Sequence, residues 1–305
     1  MTSLLDDVSP EFATEDVIVA IMGPTGAGKS SVTGQVDGVG HKLTSCTSDI
    51  GVTRCMILGS PVVLVDTPGF DDTNKPDLQI LEMISDWLAK TYQKQVFLSS
   101  ILFFHRITDN RMAGTPLKNL RVFQKLCGNK AMSRVVLVTT MWDEIEPEIG
   151  QERLKELTGS YWRTMIAKGS QTFEHQNHRE SAERLLEIVV RDKGDRERVA
   201  LQQEIADLKM KIPETGAGQE LCSSLEQLAE RRLEVLRKIR AESKDVKDQQ
   251  SERDLRKEYA ELRAQLDATL SQVQALKLSM TQRAFALIRR TLPWKGLGLP
   301  KRGHQ

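Results

Sequence analysis

The residues Gly-Pro-Thr-Gly-Ala-Gly-Lys-Ser at 23–30 fit the pattern G-x-x-x-x-G-K-[ST] at every fixed position. An apolar run at 17–22, rich in β-branched residues, precedes them and predicts a buried strand. Glycine lets backbone N–H groups turn inward around phosphate oxygens, and a helix that begins at Lys29 points its positive dipole end at the same oxygens. The sequence therefore predicts a strand, a phosphate-binding loop and a helix, in that order.

The last two positions of the loop predict a nucleotide site with a metal ion. We expect the Lys29 ammonium to reach the β- and γ-phosphates and the Ser30 hydroxyl to ligate Mg²⁺. The other residues that we assign to nucleotide binding in this segment are Gly23, Pro24, Thr25, Gly26, Ala27, Gly28 and Ser31.

A second motif, Asp66-Thr67-Pro68-Gly69, follows another apolar run at 62–65. A carboxylate at the end of a strand can reach Mg²⁺ through a water, and this assigns Asp66 to the metal site. The N–H of Gly69 is placed to contact the γ-phosphate and to sense its presence. In isolation these four residues would predict only a turn, but their position downstream of a phosphate loop favours the site.

The segment between the two motifs, 41–55, is rich in serine and threonine. In regulated phosphate-loop enzymes, a threonine here ligates Mg²⁺ and contacts the γ-phosphate. We assign Thr47 to this role and keep Thr53 as the second choice. Most of the other hydroxyls in the segment must be ordinary solvated loop groups.

The base of the nucleotide is predicted to lie beside Thr140-Met141-Trp142-Asp143, which follows the apolar run at 134–139. The Asp143 carboxylate can accept from both N1–H and the exocyclic amine of guanine, and adenine lacks these two donors. His175, within the segment 175–177, is the candidate for a side chain that stacks on the purine. The alternative for Asp143 is the first residue of a polar loop.

Apolar strand-like runs alternate with helical patterns from residue 16 to about residue 178. The strand candidates are 17–22, 55–58, 61–65, 99–104, 134–139 and 170–174. Strands separated by helices predict an α/β fold with a mostly parallel central sheet, helices on both faces, and all carboxyl strand ends at one edge. The ligand site belongs at that edge.

A helical region is predicted at 179–292, where proline almost vanishes and Glu, Lys, Arg, Gln and Leu dominate. We expect a hairpin or coiled coil of two long helices joined near 213–218, the second of them longer, with a polar middle at 240–254. The segment 255–280 has heptad spacing, so its apolar seam needs a partner: the α/β domain, a second copy or another protein. The alternative is a solvated single helix.

The two ends of the chain are predicted to lack regular structure: 1–15 is a disordered leader and 293–305 a basic flexible tail. Basic and apolar residues interleave over 279–305, which has no acidic residue. Such a segment favours contact with an anionic membrane surface. The alternatives are a frayed tail or one docked on the α/β domain.

Composition excludes several classes of function. The net charge of the 305 residues is +1 with 28% charged residues, which argues against a globally basic nucleic-acid binder. The segment 1–15 lacks the apolar centre of a signal peptide. The four cysteines (Cys46, Cys55, Cys127 and Cys222) are scattered and predict reduced thiols. We therefore expect a cytoplasmic protein.

Together, the motifs at 23–30, Thr47, 66–69 and 140–143 resemble those of a translation-factor-class G domain. Within that class the chain is similar to the septin-like branch that includes the GIMAP immunity-associated GTPases and the chloroplast import-receptor GTPases. It looks most similar to fungal proteins that join such a domain to a helical tail. The resemblance covers about residues 16–190 and implies GTP and GDP as ligands, Mg²⁺, and nucleotide-controlled assembly into a homodimer or oligomer.

Two positions depart from these relatives. Met141 stands where the usual guanine motif has lysine, so apolar contact with the base is kept but an ammonium is missing. Phe70 follows Gly69 where many G proteins have the glutamine that orients the attacking water, so we expect slow hydrolysis. Arg106 or Arg111 is a candidate to act across a nucleotide-bridged dimer, and His41 is a further possibility; the alternative for both arginines is plain surface charge.

We therefore predict a GTP-binding switch that hydrolyses GTP slowly and uses Mg²⁺. A second hypothesis is a scaffold that binds GTP without hydrolysing it and oligomerises through its helices, which the missing glutamine favours. A third hypothesis is an ATP-hydrolysing protein with the same loop. The methionine at 141 is the only feature that favours it.

Overall fold

The computed structural model describes residues 13, 15–36, 50–72, 75–93, 96–192, 199–242 and 249–277. The predicted leader to residue 12, the metal ligand Thr47 and the basic tail from residue 278 lie outside the described residues. Among the described helices, none combines the length and apolarity needed to cross a bilayer.

A six-stranded sheet forms the centre of the α/β domain. Its strands are β1 (Val17–Met22), β2 (Gly51–Ile57), β3 (Ser60–Asp66), β4 (Ser100–Arg106), β5 (Val135–Thr140) and β6 (Gln171–Glu174). The order is β2-β3-β1-β4-β5-β6, in which β2 is antiparallel to β3 and every other pair is parallel. The prediction of an α/β fold with a mostly parallel sheet is confirmed.

The α-helices of the described chain lie between and after these strands. They are α1 (Lys29–Val36), α2 (Asp77–Gln93), α3 (Thr115–Cys127), α4 (Pro147–Glu156), α5 (Arg163–Ile166), α6 (Arg179–Arg191), α7 (Ala200–Ala206), α8 (Gly216–Glu242) and α9 (Gln249–Leu276). Short helical turns occur at Lys130–Arg134, Trp142–Glu144 and Ile212–Glu214, with a π-helical turn at Leu157–Tyr161.

The strand order places the ligand edge at β1. In the sheet, β1 lies between β3 and β4. Strands β2 and β3 lie on one side of β1, and β4, β5 and β6 lie on the other, so the strand order reverses at β1. Open α/β sheets bind ligands in the crevice outside the carboxyl ends of strands at such a point. The loop at 23–28 begins directly after β1 and occupies that crevice.

The domain boundary differs from the prediction at residue 178. Helix α6 adds Ala182, Leu185, Leu186 and Val189 to the core that lies under β1, β3, β4 and β5. The loss of proline after 178 marks a change of composition, but the apolar stripe of α6 is needed to cover the sheet. The first compact unit therefore extends to Ser224, and the second begins at Leu225.

Helix α7 also packs on the α/β domain, against α2 and α3. The side-chain amide of Gln202 is buried and donates to the Leu88 carbonyl at 3.1 Å. The predicted first long helix is therefore a short helix that covers α2.

In the second unit, α8 and α9 pack along one another as an antiparallel pair. Apolar side chains from both helices form its core: Ala229, Leu233, Leu236, Tyr259, Leu262, Leu266 and Leu270. Arg232 donates to the Gln265 carbonyl at 2.9 Å, and Glu226 pairs with Lys277, so residue numbers rise on one helix as they fall on the other.

This pair corrects the predicted hairpin. We expected the polar stretch 240–254 to lie inside the longer helix, whereas α8 ends at Glu242 and α9 begins at Gln249. The predicted turn near 213–218 lies at the start of α8 instead of joining the packed helices. The apolar side chains of α9 between 259 and 270 pack against α8. This part of α9 therefore does not need the partner outside the helical region that the sequence led us to expect.

We expect Leu236→Ala to lower the free energy of unfolding by about 2–5 kcal/mol, because it removes a fully buried side chain and leaves a cavity. Urea denaturation of the full chain, followed by circular dichroism, measures this change. Val235→Ala is the matched control: Val235 is 43% exposed and its truncation should change stability by no more than about 0.5 kcal/mol. Equal effects of the two substitutions would contradict the helix pairing described.

Candidate nucleotide site

The phosphate-loop motif forms a tight turn between β1 and α1. Gly23, Gly26 and Gly28 all have positive φ, at 141°, 77° and 80°. At Gly23 an added Cβ would lie 2.5 Å from the carbonyl oxygen of Phe104 on β4, which leaves no room for a side chain. The loop is therefore held against β4 by direct backbone packing.

Lys29 is folded back over this loop. Its ammonium donates to the carbonyls of Gly23 at 3.2 Å and Pro24 at 2.9 Å, and the residue is only 6% exposed. Burial lowers the pKa of Lys29 to about 8, although the charges of Asp66 and Asp72 act in the opposite direction. The cation is thus desolvated and aimed at the inside of the loop.

The two predicted metal-binding side chains that the structure describes are in contact. The Ser30 hydroxyl donates to Asp66 Oδ2 at 2.8 Å. The two residues meet because α1 begins at the same edge of the sheet at which β3 ends. A hydroxyl and a carboxylate are the hard oxygen ligands that Mg²⁺ prefers, with waters and phosphate oxygens completing its shell. Among the described residues, no group of three His, Cys, Asp or Glu side chains could hold a metal by itself.

The loop after β3 lies against the phosphate loop. Thr25 N–H donates to the Phe70 carbonyl at 3.1 Å, and the Thr25 hydroxyl donates to the Gly69 carbonyl at 3.3 Å. An added Cβ at Gly69 would lie 2.5 Å from the backbone nitrogen of Thr25 and 2.8 Å from the Lys29 ammonium nitrogen. Glycine is therefore required at 69 by the close approach of the Thr25 backbone.

The Phe70 side chain is buried, with 2% exposure. It has no polar atom that could hold a water. Its contribution to this part of the site is the carbonyl that Thr25 binds and a parallel bridge to Pro24.

A cavity of about 120 Å³ extends from the phosphate loop to the ends of β5 and β6. It is lined by Gly28, Ser31, Thr140, Met141, Asp143, Glu144, His175 and Asn177. Because β5 and β6 are parallel neighbours, the residues that follow them meet at one edge. The structure therefore brings together the predicted phosphate-loop residues and the predicted base residues Thr140, Asp143 and His175.

Two hydrogen-bonded links join the phosphate loop and α1 to the cavity wall. The Thr140 hydroxyl donates to the Ala27 carbonyl at 3.0 Å, and the Ser31 hydroxyl donates to Asn177 Oδ1 at 3.1 Å. Gln35 also donates to Asn177 Oδ1. Gln35 and Glu144 were not predicted: Glu144 is identified only by its position beside Asp143, and Gln35 only by its place one helical turn after Ser31.

His175 is the most deeply buried titratable residue in this cavity, at 2% exposure. Burial, and secondarily His178, lowers the pKa of His175 to about 4, so its ring is neutral near neutral pH. Within the described part of the chain, neither ring nitrogen has a hydrogen-bond partner. Leaving such groups unsatisfied costs about 1–3 kcal/mol, which a ligand in the cavity can recover.

Met141 adopts the left-handed conformation, with φ 62°. Its sulfur accepts a long hydrogen bond from the Thr108 hydroxyl at 3.7 Å. Asp143 follows in a helical turn and is exposed to solvent at the cavity mouth. The geometry offers an apolar thioether and a carboxylate to a flat ligand.

Arg106 is at the end of β4, beside the phosphate loop of its own chain. Its Nη1 atom would lie 3.5 Å from a Cβ on Gly26, and its Nε lies 3.0 Å from Asp109 Oδ1. Arg111 is exposed farther along the same loop.

A larger cavity, of about 610 Å³, lies between α2 and α7. Its lining includes Tyr92, Phe97 and Ile205. Because Phe97 lies three residues before the start of β4, this cavity is at the amino-terminal edge of the sheet, away from the phosphate loop. None of the residues that line it belongs to a motif recognised in the sequence.

Several solved G-protein structures are similar to this chain. They include Toc33 from Arabidopsis thaliana in complex with Mg²⁺ and GMPPNP (15% identity, 59% of this chain and 86% of that chain, TM-score 0.46). Another is translation elongation factor SelB from Methanococcus maripaludis with the GTP analogue GppNHp (12% identity, 61% and 36%, TM-score 0.42). No protein-family model and no curated protein matches the chain. At TM-scores below 0.5, these similarities assign no family, ligand or activity.

We expect Gly23→Ala to destabilise the α/β domain by about 1–3 kcal/mol, because alanine is strained at this φ and its Cβ meets the Phe104 carbonyl. Thermal unfolding of the full chain measures the effect. Gly34→Ala in α1 is the control, since nothing lies within 4 Å of its added Cβ. Helix propensity should make Gly34→Ala neutral or stabilising by about 0.5–1 kcal/mol, and an equal loss in both variants would refute the packing argument.

Proposed function

We propose that this chain binds GTP and GDP with Mg²⁺ and hydrolyses GTP slowly, as a nucleotide-dependent switch. The observation that carries the proposal is the cavity that runs from Gly28 of the phosphate loop to Asp143, with Thr140 hydrogen-bonded to the loop at the Ala27 carbonyl. One end of the site presents a buried cation and inward backbone groups, and the other presents a carboxylate beside an apolar wall. Such a site fits a phosphorylated purine nucleoside.

At the phosphate end, Lys29 would pair with the β- and γ-phosphates, and the Ser30 hydroxyl and the Asp66 carboxylate would hold Mg²⁺. Thr47, outside the described residues, is proposed as the further metal ligand. Mg²⁺ supplies positive charge that offsets the phosphate oxygens. Gly69 lies beside the Lys29 ammonium, where its N–H can respond to the γ-phosphate.

At the base end, Asp143 is proposed to accept from the two donors of guanine, while Met141 and His175 enclose the ring. The neutral His175 ring provides one donor and one acceptor without adding charge. Guanine is favoured over adenine because adenine would leave the Asp143 carboxylate without donors.

Slow turnover follows from Phe70. A side chain with no polar atom cannot orient water, so the chain should hydrolyse GTP at the rate of unassisted G domains, on the order of 10⁻⁴–10⁻² s⁻¹. The resemblance of the motifs to those of the septin-like branch supports the proposal of GTP-dependent self-association through the face of the G domain. Arg111 remains a proposed contributor across such a dimer.

The second candidate is a scaffold that binds GTP without hydrolysing it and associates through its helices, and the buried Phe70 favours it. Turnover per chain that rises with protein concentration supports the switch, and a flat rate near zero supports the scaffold. ATP hydrolysis is the weaker third candidate, because Met141 supplies no cation beside the base. Membrane contact by 279–305 stays a prediction.

We expect Asp143→Asn to lose its preference for guanine and to gain affinity for xanthine nucleotides, because the amide reverses the donor and acceptor that face the base. Each hydrogen bond to a charged group contributes about 1.5–3 kcal/mol, so affinity for GDP should fall about 10- to 100-fold. Competition of labelled GDP by GTP, ATP and XTP, with Mg²⁺ present, measures both changes.

Glu146→Gln is the control for this experiment, since it removes an exposed carboxylate just beyond the cavity. It should leave the competition pattern unchanged. Equal competition by ATP in the unaltered chain, or an unchanged pattern in Asp143→Asn, would show that Asp143 does not read the base.

We expect nucleotide affinity to weaken as pH rises, because of Lys29. Its pKa of about 8 in the free protein means that it loses its proton just above neutrality. Phosphate oxygens favour the ammonium, so binding raises this pKa and takes up a proton. The Kd for GDP should therefore increase about fourfold between about pH 7 and about pH 8.5.

Calorimetry in two buffers of different ionisation enthalpy measures this proton uptake directly. Lys29→Arg keeps its charge throughout the range and should bind GDP, if more weakly, without the pH effect. A Kd for the unaltered chain that stays constant over this range would contradict the assignment.

A further inference from the structure

Arg106 reaches the tip of the phosphate loop in its own chain. Strand β4 is parallel to β1 and pairs Phe103 with Met22, so Arg106 continues beside the loop that follows β1. Its Nη1 atom would lie only 3.5 Å from a Cβ on Gly26. The guanidinium is therefore next to the backbone that is proposed to cradle the phosphates.

The ion pair with Asp109 fixes the direction of this side chain. Arg106 Nε lies 3.0 Å from Asp109 Oδ1, and the Asp109 side chain is only 15% exposed. His105 also approaches Asp109, but burial lowers the pKa of His105 to about 4, so it is neutral near neutral pH. Arg106 is thus the cation that matches Asp109, and its far end is directed to Gly26.

The same edge of the sheet lacks a cation at Met141. The register of β4 and β5 pairs Arg106 with Thr140, the residue directly before Met141. Arg106 therefore places a positive charge at this edge, at the end of β4, whereas Thr140 at the end of β5 and Met141 after it are uncharged.

We propose that Arg106 is a nucleotide-binding residue that acts in cis: its guanidinium contacts the diphosphate held by its own phosphate loop. This rests on the proposed function and revises the sequence-based expectation that Arg106 acts on the nucleotide of a dimer partner. The phosphates near Gly26 are common to GDP and GTP. Arg106 therefore strengthens the binding of both, whereas an arginine that acts only in the transition state changes kcat and leaves the affinity for GDP unaltered.

The first test measures binding of labelled GDP and GTP to the full chain and to Arg106→Ala, with Mg²⁺, over a wide range of protein concentration. We expect affinity for both nucleotides to fall about 10- to 100-fold at every concentration, the loss of one charge-assisted contact. Arg106→Lys should recover part of the affinity, because it keeps the charge but not the planar fork. Arg121→Ala is the control, since Arg121 is exposed on α3.

The second test separates cis from trans action. Arg106→Ala is mixed with an excess of Lys29→Met, which keeps Arg106 but lacks the phosphate-binding ammonium. In cis action, the affinity of Arg106→Ala is not rescued. Thermal unfolding of each variant establishes that the chain is folded before it is compared.

Each outcome has one meaning. Binding by Arg106→Ala that equals that of Arg121→Ala overturns the inference while the proposed function stands. Rescue by the second chain also overturns it, in favour of action across a dimer. If the unaltered chain binds neither nucleotide, the proposed function fails and the inference fails with it.

Discussion

The close approach of two backbones, at Gly23 and Phe104, is the constraint on which the site depends. It fixes the phosphate loop against β4, because no side chain fits between them. The loop in turn sets the start of α1 and the positions of Lys29 and Ser30. From there, the Ser30 hydroxyl meets Asp66 on β3, and Ala27 accepts from Thr140 on β5. Three strands are thus tied to one turn, and this turn can be made only with glycine at its first position.

Burial, more than the number of charges, sets the electrostatics of this edge. Lys29 loses much of its hydration, and the nearby carboxylates only partly offset that loss. His175 and His105 are held neutral for the same reason. Lys29 is therefore a buried cation that gains from an anionic ligand, while the imidazole of His175 can form hydrogen bonds without adding charge. A desolvated cation of this kind favours phosphate more strongly than an exposed one.

The sequence predicted the strands and the sheet edge because both depend on local signals: runs of apolar residues for the strands, and the fixed glycines of the motif at 23–30 for the edge. It placed Asp143 and His175 on one side of the molecule since both follow parallel strands. The predictions failed at features that depend on tertiary packing. The apolar stripe of α6 was assigned to a helical extension, although only the sheet can bury it. The break between α8 and α9 was missed because residues 243–248 remain as polar as the helices around them. The direction of Arg106 depends on Asp109 and could not be predicted from spacing.

The bond between Thr25 N–H and the Phe70 carbonyl has a consequence for how any ligand enters. A phosphate-binding loop is a set of donors, and in this chain one of them is already bound to the protein itself. A ligand that needs this donor has to compete with the backbone of residue 70 for it. If a ligand takes this donor, the Phe70 carbonyl loses its partner on the loop, so occupation of the loop and the contact with the segment after β3 would be linked through this one hydrogen bond.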